Sequence, residues 1–149
     1  MTQPAYWKSA VSVYPPRLRE AIIVKHLNAA RFWPDNFHYK SAVERCDVIY
    51  TTGIVHQVAH NLIQALFALN ETHFPGDKKL EAALAHLPLR PQNFALRVRR
   101  LMSPEVPADR ALLTWQREEL CRLLSEVTLT ACADSTKRIR DDVLALPSF

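Results

Sequence analysis

RCDVIYTTGIVHQVAHNLIQALFALN, which runs from Arg45 to Asn70, is the stretch that decides how the rest of this chain can fold. Its apolar residues recur at spacings of three and four, which is the period of one face of an α-helix. No Asp, Glu, Lys or Arg occurs between Asp47 and Glu71. Since a helix face in water normally carries such residues, we expect this helix to be buried on most sides, at the centre of a bundle.

The remaining face of this helix is polar but uncharged, and we call it the polar strip: His56, Gln57, His60, Asn61 and Gln64. These side chains would be too costly in the hydrocarbon of a bilayer, so the uncharged run does not predict a membrane span. We therefore expect the polar strip to face a semi-enclosed pocket or another protein.

Length and composition favour one globular unit. The 149 residues are 48% hydrophobic and 23% charged, values typical of a folded domain, so we predict a single helical-bundle domain over residues 1–149. Only two glycines occur, which argues against tightly turned sheets and excludes glycine-rich phosphate loops. The net charge of +4 could attract a phosphate-bearing ligand, but nucleic-acid binders usually show denser basic clusters. Nucleic acid is therefore not an expected partner.

The cysteines and the N-terminus indicate the compartment. Cys46, Cys121 and Cys132 are widely spaced and form no zinc-finger or CxxC pattern, so we interpret them as reduced core thiols. The first residues lack the long apolar core of a signal peptide. Both observations favour a cytoplasmic protein.

The periodicity of the whole chain predicts an all-α, up-and-down bundle of about five helices, three long and two short. Pro15 and Pro16 open the first helix, because proline at the first helical position loses no hydrogen bond. The central helix is expected from near Phe37 to about Glu71, with a bend at Thr51-Thr52-Gly53. The other predicted helices are Arg17–Trp33, Lys78–His86, Asn93–Met102, and a last long helix from Ala108, where Asp134-Ser135 is a point of interruption.

Two features of the central stretch could carry chemistry. His56 and His60, in HQVAH, resemble the HExxH of zinc peptidases, but Gln57 replaces the Glu and cannot accept a proton. No third ligand follows at a fixed spacing, so no metal ligand is assigned; a pair of hydrogen-bonding histidines is the simpler interpretation, and a metal-dependent bundle enzyme is the alternative. Asp47 is the one catalytic candidate, either as a general base at a pocket mouth or as an exposed partner of Arg45.

Several segments, taken together, resemble a known family. They occur in this order: YPPRLREAII (Tyr14–Ile23), Arg45-x-Asp47, LIQALFALN (Leu62–Asn70), FPGDKKL (Phe74–Leu80) and LPLRP (Leu87–Pro91). The chain thereby resembles the helical C-terminal, substrate-binding domain of an uncharacterised nucleotidyltransferase-fold family. It is similar in kind to the helical domain of aminoglycoside nucleotidyltransferases and to HEPN-type bundles. The resemblance covers about residues 6–130, and FALN with PGDK is its most specific part.

That resemblance implies a division of labour between two domains. In such proteins an N-terminal domain carries a Gly-Ser motif and paired acidic residues that hold Mg²⁺ and a nucleotide triphosphate, and the helical domain helps to bind the acceptor. This chain contains no Gly-Ser pair and no DxD or DxE, so it is expected to bind neither cofactor itself. The resemblance implies a fragment, a split gene product or a separate subunit that works with a nucleotidyltransferase catalytic partner.

By the same resemblance, Asp47, Asn70, Asp77 and Lys78 match recurring positions and become candidates for a pocket or domain interface. Asn70 and Asp77 could equally be a helix-end residue and a turn residue, and Lys78 could neutralise a phosphate or be solvated. The leading hypothesis is a substrate-binding domain whose site is lined by Asp47, His56, His60 and Asn70. A non-enzymatic homodimeric interaction module is the alternative from another class.

Overall fold

The regular structure is entirely helical in the computed structural model, which describes residues 13–76 and 78–144. This confirms the predicted all-α bundle. In chain order the helices are α1 Pro16–Arg31, α2 Phe37–Glu44, α3 Val48–Leu69, α4 Leu80–His86, α5 Phe94–Met102 and α6 Arg110–Leu144.

Helix α3 lies at the centre of the bundle, as its uncharged sequence predicts. It packs against α1, α2, α5 and α6, and its apolar side chains form the middle of the core. Helix α1 runs antiparallel to it, because His26 contacts Asn61 while Arg19 contacts the carbonyl of Leu69. No helix in the described part of the chain combines enough length and hydropathy to cross a bilayer.

The predicted bend at Thr51-Thr52-Gly53 is wrong. The chain turns earlier, over residues 45–47, so the expected long second helix is divided into α2 and α3. Cys46 adopts the left-handed region at φ 55°, and the Asp47 carboxylate caps α3 by accepting from the Tyr50 N–H at 3.2 Å. Aspartate favours this capping position, and helical order then continues through Gly53 without a break.

Two further expectations need correction. Helix α6 continues through Asp134-Ser135, because the Asp134 carboxylate accepts a hydrogen bond from Arg138 one turn later at 2.8 Å and thereby supports the helix. The assignment of the cysteines to the core is wrong for Cys46 and Cys132, which are both exposed, whereas Cys121 is half-buried. Cys46 lies in the turn between helices, and Cys132 lies on an outward face of α6.

The side chain of Asn70 helps to place α4 and α5. Its amide nitrogen donates to the carbonyls of Leu66 at 2.8 Å and Leu89 at 2.7 Å, and its amide oxygen accepts from the Leu89 N–H at 2.7 Å. The segment after α4 is thereby tied to the end of α3. Helices α4 and α5 pack on each other and α5 packs on α3, which leaves a groove between the three helices.

Candidate binding groove

An open cavity of about 730 Å³ lies between α3, α4 and α5, and we call it the α3–α5 groove. Its floor is apolar, and its wall on α3 is the exposed part of the polar strip. The lining residues are His56, Gln57, His60, Ile63, Leu80, Glu81, Leu84, Ala95, Val98, Arg99, Met102 and Ser103. Three members of the polar strip therefore line an open groove, and all three are exposed.

The other two members of the polar strip make contacts within the bundle. The Asn61 amide oxygen lies 2.7 Å from Nδ1 of His26, and its nitrogen donates to the Gln57 carbonyl at 2.8 Å, so Asn61 joins α3 to α1. Nε2 of Gln64 lies 3.4 Å from Nε2 of His60. The polar strip thus divides into a groove-facing half and a half that contacts neighbouring groups.

The His60 ring is held in place on two sides. It lies nearly perpendicular to the Phe74 ring, at a centroid distance of 5.7 Å and an angle of 86°, and Phe74 in turn packs on the buried Phe67 at 5.6 Å. Gln64 adds a polar contact at Nε2. Because the ring is positioned while its side chain stays exposed, His60 can offer a nitrogen to a ligand at little cost in conformational entropy.

Charged groups lie on the opposite rim. Nη1 of Arg99 is 3.4 Å from Oε1 of Glu81, and both side chains are more than half exposed. An ion pair of this kind contributes little to stability, so either group can exchange its partner for a ligand. An apolar floor edged by a few hydrogen-bonding and charged groups is the usual chemistry of a small-molecule pocket.

The structure does not bring the predicted site residues together. Asp47 and Asn70 flank the two ends of α3, which are about 33 Å apart at 1.5 Å per residue. Asp47 is an exposed helix cap and Asn70 holds Leu89, so neither lines the groove. Lys78 is exposed in the turn before α4, and Asp77 lies outside the described residues. Among the predicted site residues that the structure describes, His56 and His60 are the two that line the groove.

Sequence reasoning missed the half of the groove that comes from α4 and α5. The floor there is formed by Leu80, Leu84, Ala95, Val98 and Met102, whose spacings of three and four are visible in the sequence. That period predicts a buried face, but it does not say which helix covers it or how completely. The rim charges Glu81 and Arg99 carried no signal that separated them from ordinary surface residues.

The described residues contain no group of three or more His, Cys, Asp or Glu arranged to hold a metal ion. Groups whose pKa values are displaced lie outside the groove: burial raises the pKa values of Tyr39 and Cys121, and the other main group is in arginine–carboxylate ion pairs. Burial alone raises the pKa of Glu119, but hydrogen bonds from Arg97 and Arg122 outweigh it and hold that pKa below its usual value. The Arg97–Glu119 pair attaches α5 to α6, the Arg122–Glu119 pair lies within α6, and none of these three residues lines the groove.

No protein-family model, curated protein or solved structure matches this chain. The fold and the groove therefore define the class on their own: an all-α bundle with an open, apolar-floored groove beside its central helix.

Proposed function

We propose that this chain is a cytoplasmic, substrate-binding helical domain that works beside a nucleotidyltransferase catalytic domain or subunit. One observation carries the proposal: the uncharged polar wall of α3 faces an open groove with an apolar floor. The sequence resemblance supplies the class of partner. Under this proposal the partner holds Mg²⁺ and the nucleotide triphosphate, and the α3–α5 groove holds the acceptor.

The chemistry of the rim suggests the kind of acceptor. His56, Gln57 and Ser103 offer hydrogen-bonding groups suited to hydroxyls, and the Glu81 carboxylate suits a protonated amine. The apolar floor suits the carbon face of a ring. A polyhydroxylated amine built on a ring satisfies all three surfaces, and such a molecule also carries the nucleophilic hydroxyl that a nucleotidyl transfer needs.

A ligand titration of this chain tests the proposal. Ring-containing polyhydroxylated amines should shift the imidazole proton resonances of His56 and His60 in a saturable way. Gln57→Arg places a long cation in the groove and should weaken this binding at least tenfold. Thr52→Arg is the matched control, because Thr52 is exposed on the same helix but does not line the groove.

Two results would contradict this function. One is that no compound of this class shifts the two histidines up to about 10 mM, which corresponds to less than about 3 kcal/mol of binding free energy. The other is that Gln57→Arg and Thr52→Arg weaken binding equally, since the effect would then come from added charge.

A homodimeric interaction module is the second candidate, and a different surface favours it. Large apolar side chains are exposed where α1 ends and α2 and α3 begin; we call them the end patch: Phe32, Phe37, Val48, Ile49 and Tyr50. Ile49 is 89% exposed and Phe37 is 76% exposed. Trp33 contacts both Phe32 and Tyr50, so the end of α1 and the start of α3 form one surface. Clustered exposed side chains of this kind often mark protein interfaces.

Sedimentation over a range of concentrations tests this second candidate. If the end patch joins two copies, the wild-type mass should approach that of a dimer as concentration rises, and Ile49→Glu should return it to a monomer. Leu129→Glu is the control, because Leu129 is 66% exposed on α6 and outside the patch. A monomer at every concentration, or equal effects of the two variants, would contradict dimerisation through the end patch.

A further inference from the structure

A second cavity of about 550 Å³ lies on the other side of Arg99 and Ser103, between the end of α5, residues 103–106 and the start of α6. We call it the α5–α6 cavity. It has an apolar wall and a basic rim, and the function proposed above makes no use of it. Its apolar wall comprises Leu96, Val106, Leu112 and Trp115.

The apolar wall combines a fixed surface with an uncovered one. Leu112 is buried, and the half-buried Trp115 packs against the core, so the indole is held in one place. Leu96 and Val106 are 44% and 58% exposed. A flat ring placed against Trp115 would remove water from these two aliphatic side chains, and aromatic stacking on the indole would add to that gain.

The rim carries two guanidinium groups, Arg99 and Arg100, against the single carboxylate of Glu105. Arg100 has no hydrogen-bond or ion-pair partner among the described residues, and Arg99 has only its exposed contact with Glu81. Arg97, on the same helix, is instead satisfied by Glu119 and by both carboxylate oxygens of Glu126. The cavity therefore borders cations whose hydrogen-bonding capacity is largely unused.

A simpler explanation accounts for only part of this arrangement. Arginines in the last turn of a helix interact favourably with its negatively polarised end, and this is a sufficient reason for two cations near the end of α5. It does not explain why a partly exposed apolar wall that includes the Trp115 indole lies directly beside them. A ligand that needs both surfaces explains the two features together.

We propose that the α5–α6 cavity binds a small planar aromatic anion. The ring lies against Trp115, Leu96 and Val106, and a phosphate or carboxylate group accepts hydrogen bonds from Arg100 and Arg99. This site shares Arg99 and Ser103 with the proposed acceptor groove, but its ring-binding wall is separate, because that wall comes from α5, α6 and the segment between them.

Phenyl phosphate and benzoate are suitable probes, and the indole N–H resonance of Trp115 is a suitable reporter. That resonance is assigned by its loss in Trp115→Phe. At least one of the two anions should shift it in a saturable way, and the tighter of the two identifies the anionic group. Arg100→Gln should weaken binding about tenfold, because it removes a charge-assisted hydrogen bond.

The controls distinguish a specific binding site from nonspecific electrostatic attraction. Arg140→Gln removes the same charge from an exposed position far along α6 and should leave affinity unchanged. Benzyl alcohol, which has the ring without the charge, should bind at least tenfold more weakly. The proposal is overturned if neither anion binds, if Arg140→Gln weakens binding as much as Arg100→Gln, or if benzyl alcohol binds equally well.

Discussion

Asn70 shows how a residue in a family-like motif can owe its identity to packing. The sequence allowed two interpretations, an interface residue or a helix-end residue. The structure favours a helix-end residue, since the Asn70 amide connects the last turn of α3 to both backbone groups of Leu89. The motifs FALN and LPLRP are thus physically joined, although they are separated along the chain. Asn70 affects the groove indirectly, by holding the segment that connects α4 to α5.

Asn70→Ala should lower the free energy of unfolding by about 2–3 kcal/mol. The substitution leaves the half-buried N–H and carbonyl of Leu89 without their partner, and an unpaired buried group costs about 1–3 kcal/mol. Urea denaturation measures the change. Asn28→Ala, at an exposed position on α1, should stay within about 0.5 kcal/mol of wild type. Equal stabilities of the two variants would contradict the role assigned to Asn70.

At the scale of the element, the burial of α3 could be predicted from the sequence, but the residue at which it begins could not. The absence of charge between Asp47 and Glu71 indicated a central helix, and the period of its apolar residues indicated its face. The predicted bend at Gly53 is wrong, because the chain turns at residues 45–47 and remains helical through Gly53. The actual turn uses a left-handed cysteine, a residue without a marked preference for that conformation, so the main sequence signal for it is Asp47, a residue type favoured at a helix N-cap.

Gly53→Ala tests the continuity of α3 directly. A methyl group at Gly53 would enter open space within a regular helix, so the variant should be about 1 kcal/mol more stable than wild type. Gly76→Ala is the matched control with the opposite sign, because Gly76 has a φ of 77° that strains any other residue. Thermal and urea unfolding measure both. A destabilising Gly53→Ala would show that the helix does bend at this residue.

The groove illustrates which part of a site a single sequence can predict. The wall on α3 was predictable, because exposed polar residues without charge are unusual on a helix of this length. The floor depends on how α4 and α5 are placed against α3, and that placement rests on core packing and on the link between Asn70 and Leu89. The expected grouping of Asp47 with the histidines is not observed. Asp47 is close to them along the chain, but it lies at the end of α3 and does not line the groove.

At the scale of the whole molecule, α6 is joined to the bundle by arginine–carboxylate clusters. The buried Arg19 donates to Asp134 at 2.5 Å and to the Leu69 carbonyl at 3.1 Å, so one guanidinium joins α1, α3 and α6. Arg138 contacts both Asp134 and Glu71. Pairings this distant along the chain could not be read from local patterns, and in the sequence these residues resemble ordinary surface charges.

These clusters predict how the stability of the whole bundle depends on pH. Burial alone raises the pKa of Asp134, but the hydrogen bond and charge of Arg138, together with those of Arg19, hold it below the usual aspartate value. A lowered folded-state pKa means that the stabilisation is complete above the unfolded-state pKa of about 4 and is lost as pH falls through the folded-state value. Glu119 acts in the same direction. The urea midpoint should therefore be nearly constant from pH 7 to about 5 and fall below that.

Asp134→Asn should separate this cluster from general acid effects. The variant should be less stable than wild type at pH 7, because Arg19 remains buried beside a neutral amide, and it should lose less further stability between about pH 5 and pH 2. Asp141→Asn, at an exposed position on the same helix, should follow the wild-type curve. If the Asp134→Asn curve runs parallel to wild type over the acid range, protonation of Asp134 is not the cause of the loss of stability in acid. The loss would then have to come from Glu119 and the contact between α5 and α6, which Glu119→Gln would show by the same measurement.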